Sequence, residues 1–102
     1  MKEIKEVVKR IRCELRAAEW YAEEAVKDEA MYPTLAAHYR RMAEDNLSRV
    51  EDLHTAVVEM IDEVKRSGRQ IPQGMLDVWE FEHELMVEQA DDARAVLAKH
   101  HG

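Results

Sequence analysis

Apolar residues recur along this chain at alternating spacings of three and four, the period of one face of an α-helix. The pattern occupies residues 3–31, 34–67 and 75–99 and predicts one helix in each range. The predicted inner faces carry Ile4, Val8, Ile11, Leu15, Ala18, Ala22 and Ala25, then Tyr39, Ala43, Val50, Leu53, Val57, Ile61 and Val64, then Met75, Trp79, Met86, Ala90, Ala93 and Leu97. The alternation typical of a half-buried β-strand is absent from the sequence.

Proline and glycine mark the breaks between the predicted helices. Pro33 is tolerated in the first turn of a helix, Gly68 is suited to ending one, and Pro72 lies just beyond it. A chain of 102 residues supports one small domain with one core. We therefore predict an all-α fold, an antiparallel three-helix hairpin bundle that forms a single domain over residues 1–102.

The charge balance limits the classes of partner. The chain carries 22 acidic and 15 basic residues, a net charge of −7. Such a charge disfavours nucleic acid and anionic membrane surfaces as partners. Cys13 is the only cysteine, which fits a reducing compartment, and no apolar run reaches membrane-spanning length. We expect a cytoplasmic protein without a signal peptide.

Two Glu-x-x-His pairs raise the question of a metal site. They are Glu51 with His54 and Glu80 with His83, and four-helix carboxylate proteins use this spacing on two helices to hold metal ions. A rotation of about 100° per residue places His54 within the apolar face of its helix and turns Glu80 outward. By the same geometry the inward polar residues are Glu19, Asn46, His54, Glu82 and His83, with Glu14 and Glu51 at the edge.

Heights along the bundle separate these groups in one chain. A turn near residue 32 places Glu19 level with Asn46, and His54 is roughly 12 Å further along the axis. A second turn near residue 71 leaves Glu82 and His83 about 8 Å from His54. The two histidines are then core or interface residues bonded to carboxylates, unless a second chain completes a metal site.

The segments "CELRAAEWYAEEA" and "LAAHYRRMAEDN" resemble the first two helices of ferritin-like proteins, in particular the short encapsulated ferritins. Glu14 lies six residues before Trp20-Tyr21, as a glutamate does in that family. The resemblance implies a ferritin-like fold and a di-iron site formed between two subunits. The family's second helix has Glu-x-x-His where this chain has Asn46 and Arg49. The chain as a whole also resembles small helical proteins of tailed phages.

The metal hypothesis that follows from this resemblance takes iron or zinc as the cofactor. Its ligands are Glu14, Glu19, Glu51 and His54, with Glu82 and His83 as weaker members. We retain it as the alternative. The main prediction has no cofactor.

Large apolar side chains on the outer faces indicate contact with another chain. Trp20 lies opposite the apolar face of the first helix, and Phe81 lies off the core face of the third. Three helices cannot cover two apolar sides each, so we predict a homo-oligomer, built from twofold dimers, whose association completes the core.

Arginines near aromatic residues suggest an anion site. A ring for stacking and forked donors for phosphate suit a nucleotide, whereas ordinary salt bridges with neighbouring glutamates are the simpler explanation. The candidate ligand-binding residues are Arg12, Arg16, Trp20, Tyr21, Tyr39, Arg40 and Arg41.

These patterns lead to one functional prediction. We expect a non-enzymatic, phage-type helical homo-oligomer that sequesters a host protein, or a small anionic or nucleotide-like ligand, between its subunits. If the chain is phage-encoded, its location is the cytoplasm of the host cell.

Overall fold

Three helices form an elongated bundle of 57 × 19 × 18 Å in the computed structural model, which describes residues 2–99. The helices are α1 (Lys2–Asp28), α2 (Pro33–Arg66) and α3 (Gln73–Ala98). Among the described residues there is no strand, so the predicted all-α three-helix architecture is confirmed. The predicted domain also includes residue 1 and residues 100–102, which lie outside the described part of the chain.

The turn between α1 and α2 is short because of Pro33. A residue that precedes proline avoids the helical region, and Tyr32 has φ −133° and ψ 67°. The Tyr32 amide donates to the Asp28 carbonyl at 2.7 Å, which closes a single turn after α1 has ended. The first helix was predicted to reach residue 31, and it ends three residues earlier, at Asp28.

The turn between α2 and α3 depends on Gly68. Its φ is 78°, the left-handed conformation that glycine adopts without strain, and its amide donates to the Lys65 carbonyl at 3.2 Å. Ser67 caps the preceding turn, with its amide on the Glu63 carbonyl at 3.0 Å. Pro72 then directs the chain into α3. The chain therefore reverses direction at Gly68.

The core is built on α1, which contacts both of the other helices. Its contact with α2 is the closest because the facing residues are small, and α2 and α3 approach one another at few points. The alanines buried on α1 and α2 are Ala18, Ala22, Ala25, Ala36 and Ala43. Larger side chains fill the centre, where Ile11, Leu15 and Val57 are fully buried, each contributing about 1.5–3 kcal/mol through removal from water. Within residues 2–99, the three helices lack the uninterrupted apolar length that a membrane-spanning helix requires.

Candidate functional sites

A polar cluster interrupts the apolar contact between α1 and α2. Asn46 is buried, and its side-chain amide donates to Glu14 Oε2 at 2.6 Å. Arg49 Nε donates to Glu14 Oε1 at 3.1 Å. Burial acts to raise the pKa of Glu14, but the bonds from Asn46 and Arg49 outweigh it and hold that pKa below its ordinary value. Asn46 Oδ1 is buried and has no hydrogen-bond partner within residues 2–99.

The sequence placed Asn46 level with Glu19, and that expectation is wrong. The chain reverses near residue 30, not near 32, so Asn46 pairs with Glu14. Glu19 is half-buried, and its carboxylate is repelled by the negative charges of Glu23 and Asp92. Burial, and then the charges of those two carboxylates, raise the pKa of Glu19.

A stack of rings joins α2 to α3. The centroids of His54 and His83 are 4.7 Å apart at an angle of 23°, and Trp79 lies 5.9 Å from His54 and 5.6 Å from His83. Both imidazoles border a cavity of about 270 Å³, beside which Arg94 Nη2 donates to Glu51 Oε1 at 3.1 Å. Burial lowers the pKa of His54, and the charge of His83 lowers it further.

The contact between the two histidines contradicts the sequence prediction that His83 lies about 8 Å from His54 along the axis. That prediction placed the turn near residue 71, whereas the chain reverses at Gly68. A shift of three residues in the turn moves the facing residues by six, which is about 9 Å along a helix. The corrected register brings His83 level with His54.

The carboxylates of the metal hypothesis are mostly held by arginines. Glu14 accepts from Arg49, Glu51 accepts from Arg94, and both oxygens of Glu82 accept from Arg12. A metal cation could bind these carboxylates only by displacing the guanidinium group from each carboxylate, or by binding next to that positive charge. Within residues 2–99 no group of three or more histidine, cysteine or acidic side chains is arranged to hold a metal ion. The histidine pair is brought together, but Glu14 and Glu19 lie elsewhere.

The three aromatic residues of the predicted ligand site do meet. Trp20 contacts Tyr21 edge-on at 5.1 Å and Tyr39 at 5.8 Å, and the two tyrosine rings are 5.7 Å apart. Trp20 remains 51% exposed. We call Trp20, Tyr21 and Tyr39 the aromatic surface, and it lies on the outside of the contact between α1 and α2.

Two of the four predicted arginines have partners away from that surface. Arg12 is bonded to Glu82 of α3, and Arg40 donates to the Leu97 carbonyl at 2.8 Å and lies 3.6 Å from Glu29. Arg16 and Arg41 are exposed and form no ion pair with any described residue. Arg12 and Arg40 are therefore both engaged by groups of α3.

Sequence reasoning missed a groove at the end of the bundle where α1 begins. The groove has a volume of about 910 Å³ and an apolar floor, and one rim carries three lysines of α1 together with Glu6. Lys2, Lys5 and Lys9 follow the spacing of a single helix face with Arg12, and this spacing was the available signal. The floor is formed by Ile4, Val8, Ile61, Ile71, Leu76 and Trp79.

A second apolar feature lies on the outer face of α3, around Phe81, which the sequence analysis had placed off the core face. Val78, Phe81 and Leu85 are spaced as neighbours on a helix, and they are 60%, 62% and 42% exposed. We call these three residues the α3 stripe. Val78 also lines the groove, so the stripe and the groove are adjacent.

No protein-family model, curated protein or solved structure matches this chain.

Proposed function

We propose that this chain is a non-enzymatic helical protein that self-associates and, as a homo-oligomer, binds and sequesters a partner protein. The observation that carries the proposal is the α3 stripe. Three adjacent large apolar side chains on a regular helix, each at least two-fifths exposed, form the kind of patch that marks a contact with another chain. Self-association would remove this patch from water.

The aromatic surface supports the binding of a further partner. Tryptophan and tyrosine are enriched among the residues that dominate binding energy at protein interfaces. Leu35 is exposed one turn before Tyr39, and Met31 and Tyr32 are exposed in the turn that precedes α2. These side chains extend the apolar character of that end of the bundle.

The bonds that engage two of the four predicted arginines favour a protein partner over a nucleotide. A nucleotide site needs forked donors beside the ring that stacks on the base. Arg12 and Arg40 are bonded to other helices. The rings of the aromatic surface present apolar contact area, which suits an apolar protein segment.

The first test is the mass of the unmodified protein in solution. Light scattering at micromolar concentration should give at least twice the chain mass of 11.9 kDa. If the mass stays at that of one chain up to about 100 µM, self-association is contradicted. A Kd above that concentration corresponds to an association free energy weaker than roughly 5.5 kcal/mol.

The second test concerns the partner. The unmodified protein and two variants, Trp20→Ser and Arg66→Ser, serve as baits for proteins of the source cell, with Arg66 at an exposed position at the far end of α2. We expect at least one protein to bind the unmodified bait and the Arg66 variant but not the Trp20 variant. A thermal-shift screen with nucleotides runs in parallel, and a shift that Trp20→Ser abolishes would favour the nucleotide over the protein.

A further inference from the structure

One surface of the molecule carries a basic row, an apolar groove, an apolar stripe and an acidic row side by side. Lys5 and Lys9 of α1 line the groove from one side, and Val78 of the α3 stripe lines it from the other. Beyond the stripe, Asp77, Glu84 and Glu88 are exposed on the side of α3 that faces away from α1. Their positions follow from a rotation of about 100° per residue, measured from Glu82, which bonds to Arg12 of α1.

The lysines of the basic row are available to bind a partner. Lys2, Lys5 and Lys9 form no ion pair with any residue from 2 to 99. They lie within the first eight residues of α1, in a chain with a net charge of −7. An acidic partner therefore fits this rim, and an acidic row is present on the neighbouring helix of the same chain.

We propose that the occupant of the groove is a second copy of this chain, related by a twofold axis that runs parallel to the helices. The proposal rests on the self-association proposed above and specifies its geometry. In this dimer the α3 stripe of each copy enters the groove of the other. The lysines of each copy face the acidic row of its partner.

The direction of the axis follows from charge. A twofold axis parallel to the helices exchanges left and right across the surface, so the basic row meets the acidic row and the stripe meets the groove. A twofold axis in the interface but perpendicular to the helices places each row opposite its own equivalent. Like charges face one another in that arrangement, which is unfavourable.

The heights of the charged residues agree with this axis. The bond between Arg12 and Glu82 places residue 12 of α1 level with residue 82 of α3, and the two helices run in the same direction. Lys5 and Lys9 are then level with residues 75 and 79, so they lie on either side of the height of Asp77. Glu84 is roughly 8 Å further along from Lys9, within reach of long side chains.

The dimensions of the groove favour a helix as the occupant. It follows α1 from Lys2 to Arg12, about 15 Å at 1.5 Å per residue, and Val78 to Leu85 spans about 10 Å. A stripe with spacings of three and four presents one face of a helix, the form in which amphipathic helices enter apolar grooves. The stripe on α3 thus matches the groove in length, apolar character and flanking charge.

The experiment exchanges the charges of the two rows. One variant carries Lys5→Glu and Lys9→Glu, and the other carries Asp77→Lys and Glu84→Lys. Each variant alone places like charges at both symmetric contacts, so its self-association should weaken about tenfold or more. An equimolar mixture restores opposite charges at both contacts, so sedimentation velocity should show a one-to-one heterodimer at a concentration where each variant alone is monomeric.

Matched controls change the net charge by the same amount elsewhere. Arg41→Glu with Arg66→Glu, and Asp45→Lys with Asp52→Lys, lie at exposed positions of α2 and should leave the dimer unchanged. Circular dichroism checks that every variant remains helical. If a double variant loses its helices, Lys9→Glu and Glu84→Lys replace the double variants, with the same expected pattern.

The outcomes separate this inference from the self-association on which it rests. A monomeric unmodified protein contradicts self-association itself. An unmodified oligomer that neither charge variant weakens contradicts the docking alone, as does a mixture that stays monomeric. The variant with Lys5→Glu and Lys9→Glu could instead bind the unmodified chain, and do so more tightly than two unmodified chains bind each other. That result would indicate the perpendicular axis and contradict the parallel one.

Discussion

Asn46 of α2 donates a hydrogen bond of 2.6 Å to Glu14 of α1, and this bond fixes the height of one helix against the other. The surrounding contact is formed largely by alanines and aliphatic residues, which offer no hydrogen bonds to select one register. A buried polar group must find its partner, so one register satisfies it and neighbouring registers do not. Arg49 adds a second bond to the same carboxylate.

Replacement of Glu14 by Gln tests this bond through its pH dependence. The folded-state pKa of Glu14 lies below its ordinary value of 4.5, so the bond contributes fully above pH 4.5 and is lost as the pH falls through the folded pKa. We expect Glu14→Gln to lower stability by about 1 kcal/mol at pH 7, with a difference that shrinks below pH 4.5. Urea unfolding across this range measures it, with Glu6→Gln as the exposed control.

Replacement of Glu19 by Gln should have the opposite sign. Burial and the charges of Glu23 and Asp92 raise the folded-state pKa of Glu19, so its ionised form weakens the fold above pH 4.5. We expect Glu19→Gln to stabilise the protein by up to about 0.5 kcal/mol at pH 7 and to have no such effect at pH 4 or below. A loss of stability at pH 7 in thermal unfolding would show that the carboxylate has an unrecognised partner.

The histidine stack predicts a loss of stability in mild acid. The folded-state pKa of His54 lies below 6.5, so the unfolded chain takes up the proton first, and stability falls as the pH drops below 6.5. His83, Trp79 and the pair of Glu51 with Arg94 surround the ring. Between pH 7.5 and 5, the melting temperature of the His54→Gln variant should fall by less than that of the unmodified protein. His38→Gln, at an exposed position on the same helix, should behave like the unmodified protein.

The metal alternative can be tested directly on the purified protein. Arginines already pair with Glu14 and Glu51, so we expect Zn(II) or Fe(II) at tens of micromolar to produce no binding heat and no rise in melting temperature. A saturable heat that His54→Ala abolishes and His38→Ala retains would instead establish the metal site.

The helices of this protein could be predicted from sequence, but the register between them could not. The periodic placement of residues such as Ile11 and Leu15 identifies a helix and its inner face wherever the turns lie. The positions of the turns decide which residues face one another, and an error of one residue there is doubled across the hairpin. An error in the first turn kept the prediction from pairing Glu14 with Asn46. An error in the second turn kept it from pairing His54 with His83.

The candidate surfaces were only partly accessible to sequence analysis for a related reason. Exposed Trp20 and Phe81 were recognised because large apolar residues stood outside the predicted inner faces. Arg12 and Arg40, which the sequence analysis grouped with the aromatic residues, each have a partner on another helix. Which carboxylate or carbonyl an arginine reaches depends on three-dimensional contacts that spacing along the chain does not specify.

The most direct test of self-association through α3 compares two substitutions on that helix by sedimentation velocity. Phe81→Glu places a charge in the α3 stripe, whereas Val87→Glu places the same charge at a similarly exposed apolar residue outside the stripe. We predict that Phe81→Glu weakens self-association at least tenfold, about 1.4 kcal/mol, and that Val87→Glu leaves it unchanged. Equal behaviour of the two variants, or an unmodified protein that sediments as a single chain, would contradict the account.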